Sequence, residues 1–238
     1  VESVVTDHTD SNILYAATDF FVYLSKDAGK TWKEIFTAPG KSNAINFIAV
    51  SYAVPAPVLT AAKDGLYVSS ESNGNFTWKK IYSGSGESEN NINCVSLVKD
   101  KPEIIFLGND NGIFQSLDAG ASWKNISVGL GALSVKSIAS ASSGRLIYIA
   151  ADKGIFKTVD SGASWQKVYS LVKPDFIASE SEEETPEESE EQFVKINYIV
   201  IDPVVMNKIY AATSKGILKS ADSGKTWAFM TRLGMDDS

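Results

Sequence analysis

Ser220-Ala221-Asp222-Ser223-Gly224-Lys225-Thr226-Trp227 decides how the rest of the chain is read. The octet, S-x-D-x-G-x-[ST]-W, returns as SKDAGKTW (Ser25 to Trp32), SLDAGASW (Ser116 to Trp123) and TVDSGASW (Thr158 to Trp165), and a degenerate copy, SSESNGNFTW, runs from Ser69 to Trp78. These copies account for all five tryptophans, which stand 46, 45, 42 and 62 residues apart. A period of this length, with one insertion, marks a propeller blade or a solenoid unit.

The segments between octets choose between the two. They carry Ile- and Val-rich runs with the alternation of strands, broken by turn residues, and no helical period. In the last repeat Ile196 to Ile201, Lys208 to Thr213, Gly216 to Ser220 and Thr226 to Thr231 read as four strands, with the octet turn between the third and the fourth. Four short strands joined by tight turns make one blade. The expected fold class is therefore all-β, a β-propeller of about five four-stranded blades in a single domain spanning 1–238, with blades near 1–38, 39–84, 85–128, 129–172 and 193–233. Small residues in the second strands (Ala16, Ala17, Ala61, Ala62, Gly108, Ala150, Ala151, Ala211, Ala212) suit close packing between neighbouring sheets. The phase of the repeat leaves two arrangements open: a ring of five closed by face packing, or part of a larger ring.

Each octet has a structural reading that needs no ligand. Asp27, Asp118, Asp160 and Asp222 are placed to accept bonds from amides of their own turn. Gly29, Gly120, Gly162 and Gly224 supply a positive φ, Ser25, Ser116 and Ser220 belong to the same structural set, and the Ser or Thr before each tryptophan can close the turn with its hydroxyl. Trp32, Trp123, Trp165 and Trp227 cover its apolar flank. One carboxylate per blade spreads oxygens around a ring, whereas calcium needs about six to eight converging on one point. No metal, cofactor or catalytic role is assigned to these residues.

Composition removes several classes of function. Cys94 is the only cysteine and lies in an apolar run, where a buried structural thiol is expected. His8 is the only histidine, so a His cluster within one chain is excluded; it falls in a polar turn and is expected to be solvated. No apolar run reaches the roughly 20 residues of a membrane-spanning helix. The chain opens at Val1 with no leader-like segment, read as a removed leader or an excised domain. The net charge of −7 is local: Glu180, Glu182, Glu183, Glu184, Glu187, Glu188, Glu190 and Glu191 hold eight of the 29 acidic residues, and the remainder is close to neutral against 22 basic ones. No basic excess is left for a phosphate backbone, so a nucleic-acid partner is not expected.

The octets and the surrounding pattern (IDP, IYAAT, GILKS and the octet) resemble the Asp-box, or bacterial neuraminidase repeat, of a β-propeller superfamily. The resemblance covers nearly the whole chain and implies the fold. It carries little about function, because sialidases, xyloglucan-cleaving glycosidases, sorting receptors and photosystem assembly factors share the repeat. Sialidases bind a carboxylate with three arginines, and only Arg145 and Arg232 are present. The assembly factors' arginine patch fails on the same count. A glycosidase needs two opposed carboxylates in a cleft. Asp7 and Asp202 also lie in loops, but Asp64, Asp110 and Asp152 recur at one place in the repeat, one or two residues before Gly65, Gly112 and Gly154, as a turn requirement would produce.

The reading that remains is a non-catalytic binding or scaffold module for a protein or a carbohydrate, with glycoside processing or carbohydrate binding as the alternative. An extracellular or cell-envelope location is preferred to a cytoplasmic one, although the triplets at Asn75 and Asn125 that match a glycosylation site do not establish it. The run from Ser179 to Gln192 reads either as a solubilising insert or as an electrostatic arm for a basic partner. Function is sought on the face away from the octets.

Overall fold

Strands form where the chain alternates β-branched and aromatic residues with small or polar ones, and the pattern recurs five times. The computed structural model describes residues 1–40, 42–171 and 194–230. Its first sheet consists of β1 (Ser3–Thr6), β2 (Leu14–Ala17), β3 (Phe21–Ser25) and β4 (Lys33–Thr37). The second has β5 (Ile45–Val50), β6 (Val58–Ala62), β7 (Gly65–Ser72) and β8 (Asn75–Tyr82), and is followed by one helical turn, α1 (Glu87–Asn90). The third has β9 (Ile92–Leu97), β10 (Ile105–Asn109), β11 (Gly112–Ser116) and β12 (Lys124–Asn125). The fourth has β13 (Val135–Ser140), β14 (Ile147–Ala151), β15 (Gly154–Thr158) and β16 (Gln166–Ser170). The fifth has β17 (Ile196–Ile201), β18 (Ile209–Thr213), β19 (Gly216–Ser220) and β20 (Ala228–Phe229). In every sheet the strands pair antiparallel in chain order.

The first strands pack side by side in the series β1, β5, β9, β13, β17 and surround a common channel, so the sheets are blades and the fold is a β-propeller of five of them. The core lies between blades. Each blade presents a back face to its successor, built on a small residue of the second strand and the residue paired with it: Ala17 with Val22, Ala61 with Leu66, Gly108 with Ile113, and Ala150 with Ile155. The successor answers with β-branched and other aliphatic residues of its own first and second strands, such as Ile45, Ile48 and Val58 against Tyr15 and Val22. The close approach is real at Gly108, where an added Cβ would lie 2.6 Å from Val135 Cγ1 and 2.8 Å from Cys94 Sγ.

Three local features depart from the sequence reading. The degenerate copy at Ser69 to Trp78 is not an octet turn: β7 and β8 continue into a long hairpin closed by Asn73 and Gly74, with φ of 52° and 78°. Asn-Gly favours this two-residue turn because both positions need positive φ. In the four true octets the residue before the glycine is also left-handed, Ala28, Ala119, Ser161 and Ser223 having φ of 56° to 63°. The fourth strands of blades three and five are two residues long among the described residues, shorter than Ser122 to Ile126 in blade three and starting two residues later than the expected Thr226 in blade five. The acidic run, Glu180 to Glu191, lies outside the described residues.

Among the described residues, blades one and five do not close on each other by face packing. No packing comparable to that of the other neighbours joins β17 to β1. Val4 and Ile217, on the two outward faces, are 58% and 49% exposed.

Candidate functional site

The turns between second and third strands and the linkers between blades emerge on the face opposite the octets. There the channel opens into a cleft of about 780 Å³ lined by Glu2, Asn46, Asn93, Lys136, Asp152 and Asn197. Four of these side chains share one origin. Asn46, Asn93, Lys136 and Asn197 are each the unpaired extra residue of a β-bulge near the start of the first strand, where the register slips between Ile45 and Phe47, at Ile92 to Cys94, between Val135 and Ser137 and between Ile196 and Tyr198. A bulge re-aims one side chain without ending the strand. Here it turns the same position of four blades toward the mouth.

Two of these residues, Asn93 and Lys136, are held from outside the cleft by Asp110, which lies at the turn between β10 and β11 and lines a neighbouring pocket with Asp64 and Asn91. Its Oδ2 accepts a bond from Asn91 Nδ2 (2.6 Å), and its Oδ1 accepts from Asn93 Nδ2 (2.9 Å), from Lys136 Nζ (3.3 Å) and from the Ser134 hydroxyl. Burial alone would raise its pKa, but the bonds from Ser134, Asn93 and Asn91 and the charge of Lys136 outweigh it and hold the carboxyl at about 2. The amides extend the network between blades: Asn46 Nδ2 donates to Asn91 Oδ1 and to Ile92 O (both 2.9 Å), and Asn93 Nδ2 also donates to Val135 O (3.0 Å). In blades two and three the bulged asparagine is thus a staple to the next blade's first strand.

The aspartates of the corresponding turns are also engaged, Asp152 at the same position as Asp110 and Asp64 one residue later. Asp64 Oδ2 accepts from Lys80 Nζ and from Tyr67 Oη (both 2.6 Å), while its Oδ1 is buried without a partner among the described residues. Burial, then the bond to Asp64, pushes the Tyr67 phenol up to about 12. Asp152 Oδ1 accepts from Ser134 N at 3.1 Å. The glycine that follows earns its place at Gly65 and Gly154, with φ of 138° and 133°, where a Cβ would lie 2.3 and 2.1 Å from the carbonyls of Tyr82 and Tyr169. Asp7 and Asp202 lie on the octet face and bond to amides of their own turns. His8 is exposed, but it is not merely solvated: its ring stacks on Tyr52 at 3.9 Å and its Nε2 lies 2.9 Å from Val50 O. Cys94 is buried, and burial pushes its thiol up to about 12.

On the opposite face the four octets repeat one set of bonds. Gly29 N donates to Ser25 Oγ and Ser25 Oγ to Asp27 Oδ1 (both 2.8 Å); Thr31 N donates to Asp27 Oδ1 (2.8 Å) and Thr31 Oγ1 to Asp27 Oδ2 (2.6 Å). Ser116, Asp118, Gly120 and Ser122 do the same, as do Thr158, Asp160, Gly162 and Ser164, and Ser220, Asp222, Gly224 and Thr226. The tryptophans do more than cover the turn. Trp78, Trp123 and Trp165 each donate Nε1 across the blade interface, to Ile35 O, Ile81 O and Ile126 O of the preceding blade (2.8 Å each). Trp32 and Trp227 donate to their own turns, at Gly29 O and Gly224 O.

The cleft lies on the face away from the octets; of its lining residues Asp152 is named from the sequence, but the bulged Asn46, Asn93, Lys136 and Asn197 are not. A signal was present: Ile-Asn recurs at Ile45-Asn46, Ile92-Asn93 and Ile196-Asn197, always opening a first strand.

Neither a protein-family model nor a curated protein matches the chain. Solved structures do. The GH74 xyloglucanase from Xanthomonas campestris superposes with a TM-score of 0.70 at 17% identity, over 96% of this chain and 38% of that one. The extracellular domain of a putative hybrid two-component system from B. thetaiotaomicron superposes with a TM-score of 0.65 at 17% identity, over 92% and 26%. YCF48 from Cyanidioschyzon merolae gives 0.56 at 14%, over 88% and 63%. At such identities the likeness establishes the β-propeller class alone, and the chain spans less than two thirds of each of these structures.

Proposed function

We propose that this chain is a non-catalytic binding or scaffold module of the Asp-box superfamily, and that its partner, a protein or a carbohydrate, is received at the bulged channel mouth. The observation that carries this reading is the state of Asp110, which stands beside the cleft and braces two of its lining residues, Asn93 and Lys136. A glycosidase needs one carboxyl kept protonated as a general acid by a raised pKa. Asp110 is bonded to four side chains and remains ionised down to a pH of about 2. Its oxygens are committed to holding the amides of Asn91 and Asn93, the Ser134 hydroxyl and the Lys136 ammonium in place, so the mouth offers a fixed array of amide and ammonium groups suited to recognition. The octet carboxylates act as fastenings in this reading. The extracellular domains among the similar structures favour a location outside the cytoplasm.

Glycoside processing is the reading to be tested, since the GH74 enzymes share the fold. The chain is incubated with xyloglucan and with a panel of β-linked oligosaccharides; new reducing ends are measured, and the backbone amides of Asn46, Asn93 and Asn197 are followed by NMR. No reducing ends are expected. Turnover that disappears in Asp152→Asn would replace the binding reading with an enzymatic one.

A further inference from the structure

The outward faces of blades one and five are the two halves of a contact that the molecule makes four times elsewhere. The back-face position paired to the small residue of the second strand is Val22, Leu66, Ile113 and Ile155 in blades one to four, each 0% exposed, and Ile217 in blade five, 49% exposed. Blade five repeats the back face of blade four residue for residue: Tyr210, Ala212 and Ile217 stand where Tyr148, Ala150 and Ile155 lie fully buried against Ile199, Ile209 and Leu218. Asn197 occupies the position from which Asn46 and Asn93 reach the next blade's first strand, yet among the described residues its side chain has no partner.

The front of blade one is open in the complementary sense. Val4 is 58% exposed where Ile48, Val95, Ile138 and Ile199 are buried. Trp32 bonds its own turn and lies 43% exposed with no aromatic neighbour among the described residues, whereas Trp227, which also bonds its own turn, packs on Tyr169. Gly120, Gly162 and Gly224 rest on Ile81, Ile126 and Val168 of the preceding blade; among the described residues Gly29 meets only Leu14 and Trp32 of its own.

We infer that both faces are occupied by further blades of the same octet repeat, coaxial with these five. The occupant of the blade-five face presents an aliphatic first strand, and the occupant of the blade-one face presents a small-residue second strand and an aliphatic residue three after its tryptophan. The number is bounded. Glu2 of blade one and Asn197 of blade five line one cleft, so the row curves around a common channel. The usual range of about four to eight blades leaves room for roughly one to three. A second copy of this chain would add five, giving a ring outside that range.

The inference is tested by appending a second copy of residues 194–230 after Ser238, because the front of blade five already fits a Tyr-Ala-Ile back face. The extended chain is expected to stay monomeric, to gain several degrees in Tm and to slow amide exchange at Ile217 at least tenfold. Ile217→Asp should cancel that gain in the extended chain and leave the Tm of the unextended chain nearly unchanged, while Ile155→Asp, at the buried equivalent, unfolds both. Unchanged exchange at Ile217 on extension would refute the inference. So would an unextended chain that sediments as a dimer with Ile217 and Trp32 protected, which would identify a second copy as the occupant.

Discussion

An octet aspartate bonded to two hydroxyls and a backbone amide titrates far from its ordinary range. Bonds from Thr31 and Ser25 hold Asp27 at about 2, and those from Thr226 and Ser220 do the same for Asp222; Asp160 is likewise at about 2, and Asp118 is lowered by Ser122 and Ser116. A carboxyl depressed below its unfolded value of 3.8 contributes stability that is complete above that value and lost as pH falls through the folded one. Stability is therefore expected to fall steeply between pH 4 and about pH 2, as the octets and Asp110 take up protons. Because the cause at the octets is hydrogen bonding and not distant charge, added salt should leave the acid slope in place. Urea titrations at stepped pH check both points, and Asp222→Asn should flatten the slope by about one proton's worth. An unchanged slope would show that this carboxyl titrates alike in both states.

At the scale of the element, the tryptophan is what makes four strands belong to a row of blades. Trp123→Phe keeps a ring beside Tyr82, 5.4 Å away between centroids, but leaves Ile81 O without its donor. A loss of about 1 kcal/mol is expected, and more if the carbonyl stays dry. Trp32→Phe should cost much less, since its Nε1 bonds only to Gly29 O within its own exposed turn. Denaturant midpoints of the two variants decide it; equal losses would mean that the interblade bond adds nothing. The contrast also marks what was legible in the sequence. Residues within one octet bond to each other, so Ser25, Asp27 and Gly29 announced their turn from local spacing alone. The tryptophan's partner lies some 40 residues earlier, and nothing in the octet points to it. Asn46 and Asn93 were overlooked for the same reason: a bulge depends on the register with the neighbouring strand, which alternation does not specify.

For the whole molecule, stability in a row of stacked units is a sum of unit and nearest-neighbour terms, so coverage on both faces matters more than the quality of any one sheet. Blades two, three and four are packed front and back, and their second strands are uniformly buried. Blade five is packed only in front: in β18 Ile209 and Ala211 are buried while Ala212 is exposed, and in β19 Gly216 and Ile217 are exposed. Blade one lacks cover on the other side, with Val4 exposed in β1. Whether the row closed was not legible from the repeat, because Tyr210-Ala212-Ile217 and Tyr148-Ala150-Ile155 are the same residues and only the presence of a neighbour separates their burial. The terminal blades should therefore open first. Native-state hydrogen exchange at low denaturant is expected to give amides of β18 and β19 that exchange through a sub-global opening, blade one next to it in protection, and amides at Leu107 and Ile149 that exchange only by global unfolding. If β18 and β19 exchange with the same free energy and denaturant dependence as β10 and β14, the five blades unfold as one unit and uncovered faces do not set their order of release.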